Sequence, residues 1–218
     1  SDSVTVFIDG NSYTVNKQAK TYELLIAAIR SNDAATVRQA VDVRKSITDS
    51  FNNVAPGVVT VEGNQIFYKE TEVTGLIATR IFEMLRLQLD IKPMVRFIEN
   101  LMQNPSYRAV KEAFGFMEAC SLPITEDGHF LAYKRVRHDY TSVHDRKTDN
   151  SVGKVLEMPR NLVDEDDSRT CSAGLHFCSY DYLKHFSGER IVVLKINPRD
   201  IVAIPEDYNN SKGRACRY

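Results

Sequence analysis

The sequence lacks the features that mark secreted and membrane proteins. No run approaches the roughly 18 consecutive apolar residues that a membrane-spanning helix needs, and the first residues have neither the basic nor the apolar region of a signal peptide. Four cysteines in 218 residues are too few and too scattered for a secreted disulfide framework. We therefore expect reduced thiols, no membrane span and a cytoplasmic location.

The chain also lacks an excess of either charge and lacks nucleotide-binding glycine motifs. Its net charge of −1 gives no general attraction to nucleic acid, so a nucleic-acid partner would require a local basic patch and is not expected. There is no P-loop and no dinucleotide-binding glycine pattern. Catalysis driven by ATP or NAD is therefore unsupported, and we expect no cofactor. The composition, 43% hydrophobic and 26% charged, is that of an ordinary globular protein.

Two β-hairpins are predicted in the first third of the chain. In each, β-favouring residues flank a short turn rich in Gly, Asn and acidic residues, which tolerate positive φ. The strands are residues 4–8 with 13–15 and residues 58–61 with 66–68, joined by turns at 9–11 and 62–64. Helical periodicity follows each hairpin. The repeat is either a duplicated hairpin-plus-helix unit or a coincidence of two unrelated hairpins.

Four helices are predicted from apolar residues spaced at i, i+3, i+4 and i+7. Residues 76–89 form one of them, with Ile77, Ile81, Met84 and Leu85 facing inward. Pro93 suits the first turn of its helix, and Asn104 and Pro105 are typical of an N-cap and the first helical position. The apolar faces of the other three are Tyr22, Leu25, Ile26 and Ile29; Met94, Phe97, Ile98 and Leu101; and Tyr107, Val110, Phe114 and Met117.

Strand signals dominate after Leu122. Strands are predicted at residues 130–136, 191–196 and 201–204, with a helix at 180–186. Residues 139–169 are polar and give no clear assignment, and the acidic run at 164–167 is interpreted as a solvated loop. The predicted fold class is α+β, with a hairpin-and-helix N-terminal part at 1–121 and a mainly β C-terminal part at 122–218.

The densest group of reactive side chains is Cys171, His176 and Cys178, with Cys216 as a possible fourth member. If the strand is extended, His176 and Cys178 point to one face and could bind a metal. The spacing does not match a standard zinc pattern, so we favour a structural, metal-free role. A cysteine nucleophile assisted by His176 or His185 is the alternative, although proximity in sequence does not establish the necessary geometry.

Basic residues interleaved with aromatic ones form the best candidate for ligand binding. Arginine can hold a phosphate through two hydrogen bonds, and an aromatic ring can stack on a base. The same residues could equally be a solvated strand edge, where charge discourages edge pairing. If the chain binds a small anion, the predicted ligand-binding residues are Tyr133, Lys134, Arg160, Arg169, His176, Arg214 and Arg217; no catalytic residue is assigned.

Several long segments resemble one family of tailed-phage proteins. They include residues 122–136, LPITEDGHFLAYKRV, and residues 169–178, RTCSAGLHFC. Further matches are at residues 104–106, 149–153, 158–161, 197–198, 208–210 and 214–218. Together they cover nearly the whole chain and resemble the rIIB-like proteins of T-even and related phages, whose members commonly continue past a point equivalent to Tyr218.

The resemblance implies a role in the contest between phage and host, because the family name comes from a protector against prophage-induced early lysis. It implies an accessory protein in the host cytoplasm that antagonises antiviral defence or prophage exclusion. Because no complete catalytic constellation is visible in the sequence, we expect it to act by stoichiometric binding of a host factor. Two alternatives remain: sequestration of a nucleotide-type immune signal in the basic and aromatic pocket, and a Cys/His-dependent hydrolase or transferase. The resemblance transfers no catalytic residues, and homo-oligomerisation is a weaker expectation.

Overall fold

A computed structural model describes residues 3–17, 21–41, 59–62, 65–73, 75–86, 89–206 and 211–218. The chain forms two compact units, one of residues 1–73 and 78–91 and the other of residues 74–77 and 92–218. Helices and antiparallel strands occur in separate stretches of the sequence, so the fold is α+β as predicted. Within the described ranges, no helix combines the length and the apolar character needed to cross a membrane.

The first unit opens with the predicted hairpin. Strands β1 (Ser3–Ile8) and β2 (Asn11–Asn16) pair in antiparallel register around a two-residue turn. Asp9 and Gly10 have φ values of 50° and 80°, as a tight hairpin turn requires. Helices α1 (Tyr22–Arg30) and α2 (Ala34–Val41) follow. The fully buried Leu25 packs with residues of α2 and of the hairpin. Ile29, which was predicted to face inward, is 42% exposed.

A second hairpin is also present, but it carries an additional strand. Strands β3 (Val59–Glu62) and β4 (Gln65–Tyr68) pair as predicted, and β5 (Thr71–Val73) adds to β4. Residue 58 and the turn at 63–64 lie outside the described residues. Helix α3 (Gly75–Arg86) follows, with Ile77 and Ile81 buried. The two hairpin segments therefore differ in strand number, which weakens the interpretation as a simple duplication.

The second unit packs two helices against a five-stranded sheet. Helices α4 (Lys92–Leu101) and α5 (Tyr107–Cys120) precede the strands. The strands are β6 (Phe130–Val136), β7 (Leu175–Cys178), β8 (Arg190–Ile196), β9 (Ile201–Ala203) and β10 (Lys212–Ala215). Their order is β8-β6-β7-β10-β9, and all neighbours are antiparallel. The helix predicted at 180–186 is a short 3₁₀ helix (Asp181–His185); two others span Arg160–Leu162 and Pro198–Asp200.

Four phenylalanines join the helices of this unit to its sheet. Phe130 of β6 meets Phe97 of α4 and Phe116 of α5 in edge-to-face contacts, with ring centroids 6.5 and 6.0 Å apart. Phe177 of β7 completes the cluster, 5.6 Å from Phe130. The change from helices to strands predicted near Leu122 therefore lies inside this unit, because α4 and α5 share a core with the strands that follow them.

The start of α5 differs from the prediction. Ser106, not Asn104, is the N-cap, and its hydroxyl accepts a hydrogen bond from the backbone N–H of Ala109. Asn104 is buried, and its side-chain amide donates to the carbonyls of Pro198 and Ile201. Tyr107 is 80% exposed, so it does not belong to the inner face of the helix.

Local hydrogen bonds give structure to the polar stretch that had no clear assignment. The carboxylates of Asp139, Asp145, Asp149 and Asp166 each accept a hydrogen bond from the backbone N–H two residues ahead. Such Asx turns reproduce a backbone turn without regular secondary structure. These hydrogen bonds hold the pKa of each carboxyl below its usual value, with the neighbouring hydroxyl as the largest cause.

Candidate functional site

Arg214, one of the predicted ligand-binding residues, is part of the core. It lies on the inner strand β10 and is only 1% exposed. Its guanidinium donates to the carbonyls of Asp164, Asp166 and Arg169 at 2.8, 2.6 and 2.6 Å. Charged side chains are rarely buried in a core, but Arg214 is. The acidic run surrounds the arginine with backbone carbonyls, so it is not simply a solvated loop.

Two other predicted arginines are also engaged in internal contacts. Arg160 donates to the Asn104 side-chain oxygen and the Ile201 carbonyl, both at 2.8 Å. Arg169 forms ion pairs with Asp164 and Asp166, each at 3.2 Å. The structure therefore distributes the predicted arginines over separate contacts and does not gather them around one pocket.

Lys134 and Tyr218 form a polar pair that is largely removed from water. The Lys134 ammonium donates to the Tyr218 hydroxyl at 2.6 Å, and that hydroxyl donates to the Asn150 side-chain oxygen at 3.3 Å. Burial lowers the pKa of Lys134 to about 8 and raises that of Tyr218. On the same strand, Tyr133 meets Tyr180 edge-to-face at 5.4 Å. These contacts hold the aromatic side chains of Tyr133 and Tyr218 in fixed positions.

His176 lies opposite Arg214 in the pairing of β7 with β10. Its Nε2 is 2.8 Å from the carbonyl oxygen of Ser172. Burial lowers the pKa of His176, and the positive charge of Lys134 acts in the same direction. The imidazole is therefore neutral at physiological pH and is engaged with the backbone.

The cysteines differ in burial and in the pKa of their thiols. Cys178 is fully buried, its thiol donates to the Tyr133 carbonyl, and burial raises its pKa to about 12. Burial likewise raises the pKa of Cys120 to about 11, whereas Cys171 is exposed. A thiol nucleophile requires the opposite shift. Among the described residues, no three His, Cys, Asp or Glu side chains form a group that could hold a metal ion.

A surface groove gathers a different set of cations. It has a volume of about 260 Å³ and lies where the end of β8 approaches the end of the chain. Lys195 comes from β8, Arg199 from the 3₁₀ helix that follows, and Arg217 from the segment after β10. We call it the cationic groove. Its lining residues are His129, Val155, Lys195, Asn197, Arg199, Asp200, Arg217 and Tyr218.

Each cation of the groove has a carboxylate beside it and remains partly open to solvent. Lys195, Arg199 and Arg217 are 52%, 45% and 46% exposed at the side chain. Their carboxylate partners are Asp127 at 2.6 Å, Asp200 at 3.5 Å and Glu157 at 3.7 Å, in the same order. The pairs of Lys195 and Arg217 are exposed on both sides. Such pairs contribute about 0–1 kcal/mol, so a ligand anion can replace these two carboxylates at little cost.

Buried and exposed carboxylates behave differently around the groove. Burial raises the pKa of Asp200, whose side chain is only 15% exposed. The hydrogen bond from Lys195 is the largest cause of the lowered pKa of Asp127, and Thr125 adds to it. The ion pair therefore favours the ionised form of Asp127, which holds the Lys195 ammonium in place.

Sequence reasoning found only part of this groove. Arg217 is the single predicted ligand-binding residue that lines it; His129, Lys195 and Arg199 were not identified. The alternation of β8 was the available signal, because Lys195 shares the outward face with Ile191 and Val193. The convergence of Lys195, Arg199 and Arg217 depends on the pairing of β8 with β6 and on the path of the chain after β10. Neither can be predicted from a local sequence pattern.

Comparison with known proteins gives one consistent result. The family model described as "Bacteriophage T4 protein rIIB" matches residues 1–218. Protein rIIB of Enterobacteria phage T4 is 39% identical over 221 residues, which cover 99% of this chain and 69% of that protein. No solved structure shows a significant match. The chain therefore belongs to the rIIB family of phage proteins.

Proposed function

We propose that this phage accessory protein antagonises a host antiviral defence or prophage-exclusion system in the host cytoplasm by binding a host factor stoichiometrically. The cationic groove is the recognition site, and the group that it recognises is anionic. The observation that carries the assignment is the meeting of Lys195, Arg199 and Arg217 around one groove, each with about half of its side chain exposed. Membership of the rIIB family supports the biological setting.

The chemistry of the described side chains favours binding over catalysis. The thiols of Cys120 and Cys178 have raised pKa values, so they are protonated at neutral pH. His176 is engaged with a backbone carbonyl. In contrast, the cations of the groove are about half exposed and held in position by carboxylates, so their hydrogen-bond donors are oriented for an incoming anion.

An infection experiment tests the biological role. Phage lacking the gene should plate normally on hosts without defence or exclusion systems and should lose plating efficiency on at least one host that carries such a system. Expression of the chain in trans should restore plating on that host. Equal impairment on every host would contradict the anti-defence role.

Charge reversal tests the cationic groove as the recognition site. The double variant Arg199→Glu/Arg217→Glu should abolish rescue on the restrictive host, because it replaces two cations of the groove with anions. Lys111→Glu is the matched control, since Lys111 is exposed on α5 and does not line the groove. Both proteins should keep the wild-type circular dichroism spectrum. Full rescue by the double variant would exclude the groove.

A nucleotide-type signal is the second candidate ligand, and the presence of Tyr218 beside Arg217 in the groove wall favours it. The volume of about 260 Å³ lies near the lower end for small-molecule sites, roughly 300 Å³. Native mass spectrometry with cyclic and linear nucleotides should then show one bound nucleotide per chain, lost in the double variant. Turnover of the nucleotide would instead support an enzyme.

A further inference from the structure

Strand β8 is an open edge of the five-stranded sheet. It pairs with β6 on one side only, over all seven residues from Arg190 to Ile196. In an antiparallel pair, every second residue turns its backbone N–H and C=O away from the neighbouring strand. No other described part of the chain pairs with those outward groups. The opposite edge, β9, has only three residues, all buried.

The features that usually protect an edge strand are weak in β8. Natural edges are guarded by proline, bulges or free charges. The strand has no proline, and its register with β6 is regular throughout. Its two charged residues are engaged: Arg190 donates to the His138 carbonyl at 2.6 Å, and Lys195 pairs with Asp127 at 2.6 Å. Between them Ile191 and Val193 are 45% and 59% exposed.

We propose that β8 pairs with β8 of a second copy of this chain, in an antiparallel arrangement with a two-fold axis at Val193. The dimer would extend the sheet to ten strands.

A second copy of the chain is the expected partner, because the sequence of β8 is complementary to itself in an antiparallel pair. With the axis at Val193, all seven residues are paired, and no like charges face each other. On the outward face Val193 lies opposite its own copy, and Ile191 lies opposite Lys195, whose aliphatic stem can cover it. On the other face Val192 meets Leu194, and Arg190 meets Ile196. An isologous contact of this kind closes into a dimer and does not propagate into a filament.

Charge variants at the axis test this dimer. Sedimentation of the full chain from micromolar to millimolar concentration should show the molar mass rising from 24.7 kDa toward twice that value. Val193→Lys places two like charges across the axis and should weaken the dimer at least about tenfold. Val152→Lys is the matched control, because Val152 is 90% exposed and is not part of β8, and it should associate like the wild type.

Mixing two oppositely charged variants distinguishes pairing of β8 with its own copy from pairing with a different partner. Val193→Glu alone should also be monomeric, whereas an equimolar mixture of Val193→Lys and Val193→Glu should form a dimer, because opposite charges then meet at the axis. Each variant should keep the wild-type spectrum and, at concentrations at which the wild type is monomeric, its melting temperature, since Val193 is exposed in the single chain. A wild type that stays monomeric at every concentration, equal association of Val193→Lys and Val152→Lys, or a mixture that stays monomeric would each overturn the proposal.

Discussion

Replacing Arg214 should destabilise the second unit severely, although the residue lies near the end of the chain. The side chain is 1% exposed and donates to three backbone carbonyls of residues 164–169. Arg214→Ala removes all three donors and leaves a cavity between β10 and residues 164–169. A hydrogen bond to a charged group contributes about 1.5–3 kcal/mol, and these three share one side chain, so their contributions are not independent. We expect a loss of about 3–5 kcal/mol in the free energy of unfolding.

Arg217→Ala provides the internal comparison for this prediction. Arg217 is 46% exposed and lies 3.7 Å from Glu157, so its removal should change the free energy of unfolding by less than about 1 kcal/mol. Because the chain contains no Trp, urea unfolding is best followed by far-ultraviolet circular dichroism. The free energy of unfolding of Arg214→Lys should lie between those of Arg214→Ala and Arg217→Ala, since one ammonium cannot reach all three carbonyls. An Arg214→Ala protein within 1 kcal/mol of the wild type would refute the structural role.

Two further predictions concern buried groups. Lys134 has a pKa of about 8 in the folded protein against about 10.5 when unfolded. Between these two pH values the unfolded chain therefore binds more protons than the folded chain. Because of this difference, Lys134 makes the free energy of unfolding rise with pH from about 8 to 10.5. Lys134→Met should remove that rise. Thiol labelling under native conditions should modify the exposed Cys171 rapidly and the buried Cys178 only on unfolding. Equal labelling rates would contradict the placement of Cys178.

Periodicity predicted the regular helices and strands well, because the spacing of apolar residues within each element is visible in the local sequence. The stripe of Met94, Phe97, Ile98 and Leu101 is fully buried in α4, and the strand predicted at residues 130–136 is β6 residue for residue. In both cases the spacing of apolar residues matches the geometry of the element. The N-cap assignment failed because Asn104 and Ser106 are both good caps, and tertiary contacts with residues 198 and 201 engage Asn104.

Strand β10 shows where local patterns give no guidance. Its sequence, Lys-Gly-Arg-Ala, has none of the β-branched or aromatic residues that predict a strand, yet all four residues are buried. Gly213 is required by its neighbour, since a Cβ there would lie 2.3 Å from Cζ of Phe177. The strand is defined by its partners β7 and β9 on either side, and their identity is a property of the topology.

The acidic run at residues 164–167 explains why charge patterns did not identify Arg214 as a buried residue. A cluster of arginines and aspartates in sequence suggests either an anion site or a solvated loop, but Arg214 is held by carbonyls, which any residue provides. A double replacement of Arg214 and Arg217 would therefore combine loss of the fold with loss of a groove cation. Reversing Arg199 and Arg217 changes the groove alone, because both side chains are about half exposed. Only the second pair can attribute a lost interaction to recognition.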